Sequence, residues 1–334
     1  MRIASLVSRI FLVCTPLALI LVIAAVLGLF LGTTYQSIAD VLSAIVTKGR
    51  VDSTLATIVW RIRMPRVVLA ILTGASLSLG GLVLQALLRN PLAEPYILGI
   101  SGGSAVGAIA GMLLGFSQLQ GVAFFSFAGS MAALLLILAI TSGGMVMKKD
   151  SLILAGVMVN AFCGSIIIFL ISLTQDRRVL NILFWLMGDL SMSSQTQVMV
   201  LAVLLIPCTV IIFLFAQPMN LLLMGEEMAG NMGLNVRRTS LVLLMTSSLM
   251  VSLTVCCTGL LGFVGLVTPH LLRLLLGPDH RVLVPACIFG GGAYLVFCDL
   301  LARILPAQGE MPVGVITAMI GAPLFMFLLW RSKR

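Results

Sequence analysis

Charged residues are scarce in this chain, and their scarcity is the first constraint on what the protein can be. Only 9% of its 334 residues are Asp, Glu, Lys or Arg, whereas 60% are hydrophobic. Soluble domains carry about 25% charged residues. The composition therefore argues against a soluble globular domain and predicts a protein embedded in a membrane.

Motifs for catalysis, metal binding and proton transfer are also missing. No Gly-x-x-x-x-Gly-Lys-Ser/Thr phosphate loop occurs, so the chain cannot bind ATP in the usual way. The cysteines lie in apolar stretches without metal-ligand spacing, and neither His270 nor His280 has a partner at such spacing. No apolar segment carries the paired acids of a proton relay. Asp299 borders one of these segments, but Arg303 follows it by four residues and can neutralise its charge. We therefore predict no enzymatic activity, no cofactor and no metal site.

What the sequence has instead is a series of long runs without acidic or basic residues. These runs cover 10–32, 67–88, 95–147, 151–175, 190–225, 239–272, 282–298 and 311–330. A membrane-spanning helix needs about 20 apolar residues, and two of the runs are long enough for two spans each. The first run follows two arginines but lacks a clear cleavage site, so we interpret it as a retained span. The sequence predicts an all-α polytopic membrane protein with about ten transmembrane helices in a single domain, residues 1–334.

The basic residues predict the orientation of these spans. Ten spans place both termini on one side, and if that side is cytoplasmic, twelve Lys and Arg residues lie inside and eight outside. This excess agrees with the positive-inside rule. Because the basic residues fall in short loops between spans, the net charge of +9 reflects topology, and we predict no nucleic-acid partner.

Backbone irregularity between two apolar runs gives the first indication of function. The segment Asn90–Gly103 contains two prolines, three glycines and one carboxylate. At membrane depth such backbone survives only where it is buried in protein or lines a water-filled path. Pro269, with Gly262 and Gly265 nearby, predicts a second broken span in the other half. Interrupted segments are typical of transporters and are not needed in a membrane scaffold or receptor. A stand-alone secondary transporter or channel remains an alternative.

The predicted inside loop has the pattern of a docking element. Residues 219–235 indicate two short helices around Gly225, followed by a stop at Gly233. Glu226 and Glu227 stand among apolar residues there. Short amphipathic helices of this kind dock to other proteins. A helix that merely rests on the membrane surface is the alternative.

Short motifs along the whole chain carry a resemblance to a known family. In chain order they are Ile62-Arg-Met-Pro-Arg66, Gly80-Gly81 with Gln85, Asn90-Pro-Leu-Ala-Glu-Pro95, Leu98-Gly-Ile-Ser101, Leu154-Ala-Gly156, Leu223-Met-Gly-Glu226, Gly262-Phe-Val-Gly-Leu-Val-Thr-Pro-His270, Asp279-His-Arg281, Asp299-Leu-Leu-Ala-Arg303, Pro312-Val-Gly-Val315 and Gly321-Ala-Pro323. With these motifs the chain resembles the permease subunits of type II ATP-binding-cassette importers, which take up iron-siderophores, haem and cobalamin.

The resemblance implies an assembly. It implies a homodimer with the translocation path along its two-fold axis, although pairing with a paralogue stays open. It further implies two cytoplasmic ATPase subunits and one substrate-binding protein outside, periplasmic or lipid-anchored. The permease would sit among the lipids of the bacterial inner membrane with both termini cytoplasmic. Which metal chelate it carries does not follow from the shared motifs.

Two inside sites are carried over from the family, residue by residue. The ATPase coupling role falls on Leu223, Gly225, Glu226 and Glu227. The cytoplasmic gate falls on Asn90, Pro91 and Leu92. A second gate of the family has small hydroxyl residues in relatives and corresponds to Lys148-Lys-Asp-Ser151 here, where three of the four residues are charged; whether it works as in relatives stays open.

Three arginines on the predicted outer side form the remaining candidate site. Arg63 and Arg66 stand at the outer start of the second span, and Arg303 stands at the outer end of the ninth. The positive-inside rule disfavours basic residues there, which suggests a purpose. Because the guanidinium fork binds carboxylates bidentately, we predict that they receive acidic residues of the binding protein. Pairing of Arg303 with Asp299 alone is the alternative.

Overall fold

The computed structural model describes residues 2–31, 57–116, 121–141, 149–174, 176–306 and 309–332. Lys148 of the predicted second gate lies outside these ranges. Throughout the described ranges the regular structure is helical, without strands.

Thirteen α-helices form within those ranges. They are α1 (Arg2–Phe30), α2 (Met64–Leu88), α3 (Ile100–Leu113), α4 (Ala123–Thr141), α5 (Lys149–Ser172), α6 (Asp176–Leu186), α7 (Gln195–Leu214), α8 (Ala216–Leu223), α9 (Glu226–Asn231), α10 (Val236–Thr258), α11 (Val264–Leu276), α12 (His280–Ile304) and α13 (Val313–Ser332). A π-helical turn, Ile58–Arg63, runs directly into α2, and a 3-10 turn, Pro95–Leu98, precedes α3.

The lengths of these helices confirm an all-α polytopic membrane protein. Among the described residues, seven helices are long and apolar enough to cross a membrane: α1, α2 with its π-helical turn, α4, α5, α7, α10 and α12. Shorter apolar helices occupy Ile100–Leu113, Val264–Leu276 and Val313–Leu328. Together they make ten apolar helices, in line with the approximate count of ten spans. The remaining helices, α6, α8 and α9, connect them.

Helix α2 forms the centre of the bundle. It packs against α12, α10, α11 and α7, and most of its residues are buried. Its glycines allow direct backbone contact, because a Cβ at Gly81 would lie 1.7 Å from the Gly265 carbonyl oxygen. At Gly74 a Cβ would lie 2.1 Å from the carbonyl oxygen of Gly291. Small residues therefore set the close approach of α2 to α11 and α12.

Two interrupted segments meet inside the bundle. The first separates α2 from α3, as the prolines of Asn90–Gly103 predict, and ends at Gly99 with φ 69°. The second separates α10 from α11. The predicted second break is therefore confirmed, but it lies upstream of Pro269, which is inside α11. Proline is tolerated in membrane helices when neighbouring groups satisfy the freed carbonyl.

Side chains of the first segment bind the backbone of the second. Glu94 Oε1 accepts a hydrogen bond of 2.8 Å from the Phe263 N–H. The Tyr96 hydroxyl accepts from the Leu261 N–H at 2.8 Å and donates to the Leu261 carbonyl at 3.1 Å. These bonds supply partners that the broken helices lack, which is the condition for irregular backbone at membrane depth.

The bundle has two chemically distinct ends. The end of α1, the start of α2 and the end of α12 lie together, as contacts of Arg63 and Arg303 with α1 show. The end of α2 lies with α9, and α8 lies with the start of α12. We call the first the outer end and the second the inner end, following the predicted topology.

Candidate functional site

The predicted gate residues form a compact turn at the inner end. The Asn90 side-chain oxygen accepts a 2.9 Å hydrogen bond from the Leu92 N–H, and the Asn90 carbonyl accepts one of 3.1 Å from Ala93. Pro91 and Leu92 are exposed. The segment Asn90–Leu92, called the gate turn below, is thus fixed by its own hydrogen bonds and presents an apolar tip.

The predicted pair of short helices is present around Gly225. Helices α8 and α9 flank this glycine, which has φ 117° and ψ 148°. A side chain at that φ is strained, so the turn needs glycine. The predicted stop is present as well, since α9 ends at Asn231 and Gly233 has φ 86°. Leu223 and Glu227 are exposed, whereas Glu226 is partly buried.

The surface of α8 and α9 combines apolar and acidic groups. Met224, Met228 and Met232 are exposed beside the two glutamates. Flexible methionine side chains adapt to a partner surface. This composition suits a docking element, and it also suits a helix pair lying on a membrane.

The residue before the gate turn lies against helices α8 and α9, called the coupling helices below after their predicted role. Arg89 immediately precedes the gate turn, and its Nη2 lies 3.7 Å from Glu226 Oε1. Its Nη1 lies 4.0 Å from where a Cβ on Gly225 would be. The structure thus brings together two sites that the sequence predicted separately. Arg89 was missed as a site residue: the sequence shows a base next to the gate motif, but it does not show that this base pairs with Glu226.

Helix α8 is held to the rest of the inner end by a polar cluster. Asn220 donates to Asp279 Oδ1 at 2.8 Å, and its own oxygen accepts from the His280 N–H at 2.9 Å. Asp279 also caps α12. Hydrogen bonding from the Arg281 side chain lowers the pKa of Asp279 to about 2. The carboxylate is therefore ionised at neutral pH, and it fixes the position of α8.

At the outer end, two predicted docking arginines bind the end of α1. Arg63 donates to the carbonyls of Leu29 at 2.8 Å and Phe30 at 3.2 Å. Arg303 donates to those of Gly28 at 3.0 Å and Leu31 at 3.3 Å. The last carbonyls of a helix have no partner within the helix, and they favour a nearby cation. These arginines therefore cap α1.

Arg66 and Arg303 share a buried carboxylate. Arg66 Nε donates to Asp299 Oδ1 at 2.8 Å, and Arg66 also pairs with Glu310. Arg303 Nη2 lies 3.1 Å from Asp299 Oδ2. The two groups form an ion pair, but their geometry is not that of a hydrogen bond. The predicted pairing of Asp299 with Arg303 is thus present. Glu310 was missed, because its pairing with Arg66 joins distant parts of the chain.

The three arginines come together, and their side chains face the interior. Arg63 is 5% exposed, and Arg66 and Arg303 are each 4% exposed. Their guanidinium groups are engaged with α1, Asp299 and Glu310 in this conformation. Docking of a binding protein onto these arginines stays a prediction. The structure shows that they also hold α1, α2 and α12 together.

A resident metal site is not indicated in the described parts of the chain. No group of three or more His, Cys, Asp or Glu side chains there could hold an ion.

Comparison with known proteins identifies the family. A family model, the FecCD transport family, matches residues 20–331. The cobalamin import system permease protein BtuC of Halobacterium salinarum is 41% identical over 279 residues, covering 84% of this chain and 75% of that protein. The hemin transport system permease protein HmuU of Yersinia pestis is 37% identical over 281 residues, covering 82% and 84% respectively.

A solved structure agrees with this assignment. An inward-facing metal-chelate type ABC transporter matches with a TM-score of 0.85 and 30% sequence identity, covering 95% of this chain and 98% of that chain. The matched proteins are transport permeases, as the sequence motifs predicted, and not enzymes. The chain belongs to the FecCD transport family and is a multi-pass membrane permease.

Proposed function

We propose that the chain is the permease subunit of an ATP-binding-cassette importer that moves a bulky metal chelate across the bacterial inner membrane. One observation carries the proposal: Arg89, the residue that leads into the gate turn, pairs with Glu226 of α9 at the inner end, on a fold shared with a metal-chelate type transporter. A permease driven by a partner ATPase needs both elements, because force received at a docking surface must reach a gate.

The substrate class rests on the relatives. Two of them import cobalamin and hemin, both large ring compounds that hold a central metal. Iron-siderophores are bulky metal chelates too, and they belong to the same proposed class. We assign the choice among these chelates to the external binding protein.

The proposed assembly has three kinds of chain. Two copies of the permease, residues 1–334 as one domain, form the translocation path along their two-fold axis. Two cytoplasmic ATPase subunits engage α8 and α9 around Leu223, Gly225, Glu226 and Glu227. One periplasmic or lipid-anchored binding protein docks at the outer end, near Arg63, Arg66 and Arg303. The N- and C-termini are cytoplasmic in this arrangement.

Alternating access supplies the mechanism. Binding of ATP shifts the ATPase pair between two arrangements, and the coupling helices follow because they contact it differently in each. The gate turn then opens or closes the inner end of the path. The permease itself contributes no hydrolysis, since the phosphate loop is missing from its sequence.

Co-expression tests whether ATP hydrolysis is carried out by a partner subunit and not by the permease. The purified permease should neither bind nor hydrolyse ATP alone, and hydrolysis should appear once an ATPase subunit is co-expressed and co-purified with it. Turnover by the permease alone, surviving removal of contaminating ATPases, would overturn the proposal.

A further inference from the structure

The end of helix α2 carries an unusual arginine. Arg89 is the residue after the last turn of α2, with φ 50° and ψ 36°, a left-handed conformation. Among the described residues only Arg89 and Phe263 adopt positive φ without being glycine. Glycine is the usual residue at this position of a helix end. A side chain held in a strained conformation is a reason to look for what that side chain does.

The strained residue is held in place from both sides. The N–H groups of Arg89 and Asn90 both donate to the Gln85 carbonyl, which fixes the end of α2. On the other side the Arg89 guanidinium reaches the first turn of α9, where Nη2 lies 3.7 Å from Glu226 Oε1. The contact therefore runs from the backbone of α2 to the coupling helices.

The gate turn follows Arg89 without a flexible spacer. Asn90 is the next residue, and its side chain binds the Leu92 N–H at 2.9 Å. A displacement of Arg89 is thus transmitted through one peptide bond into a hydrogen-bonded turn. The pair of Arg89 with Glu226 therefore links α9 to the residue that precedes the gate turn.

We propose that the Arg89–Glu226 pair is the contact through which displacement of the coupling helices repositions the gate turn. This inference rests on the proposed function and assigns Arg89 as a positioning residue for transport. Both partners are partly exposed, with side-chain exposures of 32% and 36%. Such a pair adds little to the stability of a fold. Its removal should leave the permease folded and change how hydrolysis is converted into transport.

Charge reversal and charge exchange test the pair. Arg89→Glu and Glu226→Arg, each made alone in the full complex, should lower chelate uptake per ATP hydrolysed by about fivefold or more, the lower range of typical coupling between sites. The combined variant R89E/E226R restores opposite charges and should recover most of the ratio. The readout is the ratio of uptake to hydrolysis in proteoliposomes containing the ATPase and the binding protein.

A neighbouring glutamate supplies the specificity control. Glu227 lies in the same turn of α9 and is exposed. The combination R89E/E227R offers the same net charge as R89E/E226R, but it cannot rebuild the pair, so it should not recover the ratio. Equal recovery by both combinations would overturn the inference, and so would single reversals that leave the ratio unchanged.

Co-purification of the ATPase separates this inference from the proposed function. If wild-type permease fails to retain an ATPase, the proposed function is wrong. If wild type retains it and Glu226→Arg loses it without rescue by Arg89→Glu, then Glu226 serves the ATPase surface alone and the inference is wrong. The result we expect is that wild type and R89E/E226R both retain the ATPase and that R89E/E226R recovers the ratio, whereas R89E/E227R does not.

Discussion

Replacing Asp299 by Asn tests whether buried charges at the outer end hold the bundle together. The Asp299 side chain is completely buried and lies 2.8 Å from Arg66 Nε and 3.1 Å from Arg303 Nη2. Asparagine keeps the shape and removes the charge, so two buried guanidinium groups lose their shared counter-ion. Removing one partner of a buried pair typically costs about 3–5 kcal/mol. We expect the free energy of unfolding to fall by about that amount.

The matched control is Glu310→Gln in the same cluster. Glu310 pairs with Arg66 but is 36% exposed, and exposed pairs contribute about 0–1 kcal/mol. Unfolding of the purified permease, followed by denaturant titration in mixed micelles, gives both values under one condition. If Asp299→Asn is no more destabilising than Glu310→Gln, the buried cluster does not stabilise the fold and this reasoning is refuted.

Three further predictions concern the coupling turn, the outer arginines and the inner polar cluster. Gly225→Val should insert into the membrane normally but uncouple hydrolysis from uptake, because φ 117° excludes a β-branched residue; normal uptake would rule out this turn as the coupling element. Reversing Arg63 and Arg66 to Glu should weaken docking of the binding protein, and matching acid-to-Arg changes on that protein should restore part of the affinity. Folded protein whose affinity and salt dependence stay unchanged would contradict the docking prediction. Because the pKa of Asp279 is lowered from 3.8 to about 2, its stabilising effect is present above about pH 4 and lost as the pH falls towards 2. Thermal unfolding of wild type and Asp279→Asn should therefore differ by a constant amount between pH 5 and 8, and a difference that changes in that range would contradict it.

Local features of this fold could be predicted because their causes are local. The paired short helices follow from one glycine between two apolar stretches with adjacent acids, and Gly225 has the positive φ that this pattern requires. The break between α2 and α3 follows from the prolines near Asn90. Span positions follow from runs without charge, because a charge at membrane depth is costly.

Contacts between distant parts of the chain could not be predicted in this way. Nothing near Arg63 indicates that its guanidinium caps α1, because the carbonyls that it binds belong to another helix. The outward placement of the arginines was inferred from loop charge, which gives a side of the membrane but no direction for a side chain. The contact between Arg89 and Glu226 could not be predicted either, because the packing of α2 with α8 and α9 brings these two residues together.

The second break lies at Gly262, one of the two glycines that predicted it together with Pro269. Pro269 marked the region, but it lies within α11, and the chain breaks instead between Thr258 and Val264. Phe263 adopts φ 68° there, and its N–H binds Glu94. This hydrogen bond joins distant parts of the chain, so local propensity does not indicate the conformation of Phe263.

Reconstitution measures the central claim most directly. Proteoliposomes containing the permease and its ATPase, with ATP inside and the binding protein outside, are offered cobalamin, haem or an iron-siderophore. We predict accumulation of one of these chelates that requires ATP, the ATPase subunit and the binding protein together. Accumulation that continues without the ATPase, driven by an ion gradient or by the substrate gradient alone, would contradict the account and identify a stand-alone transporter.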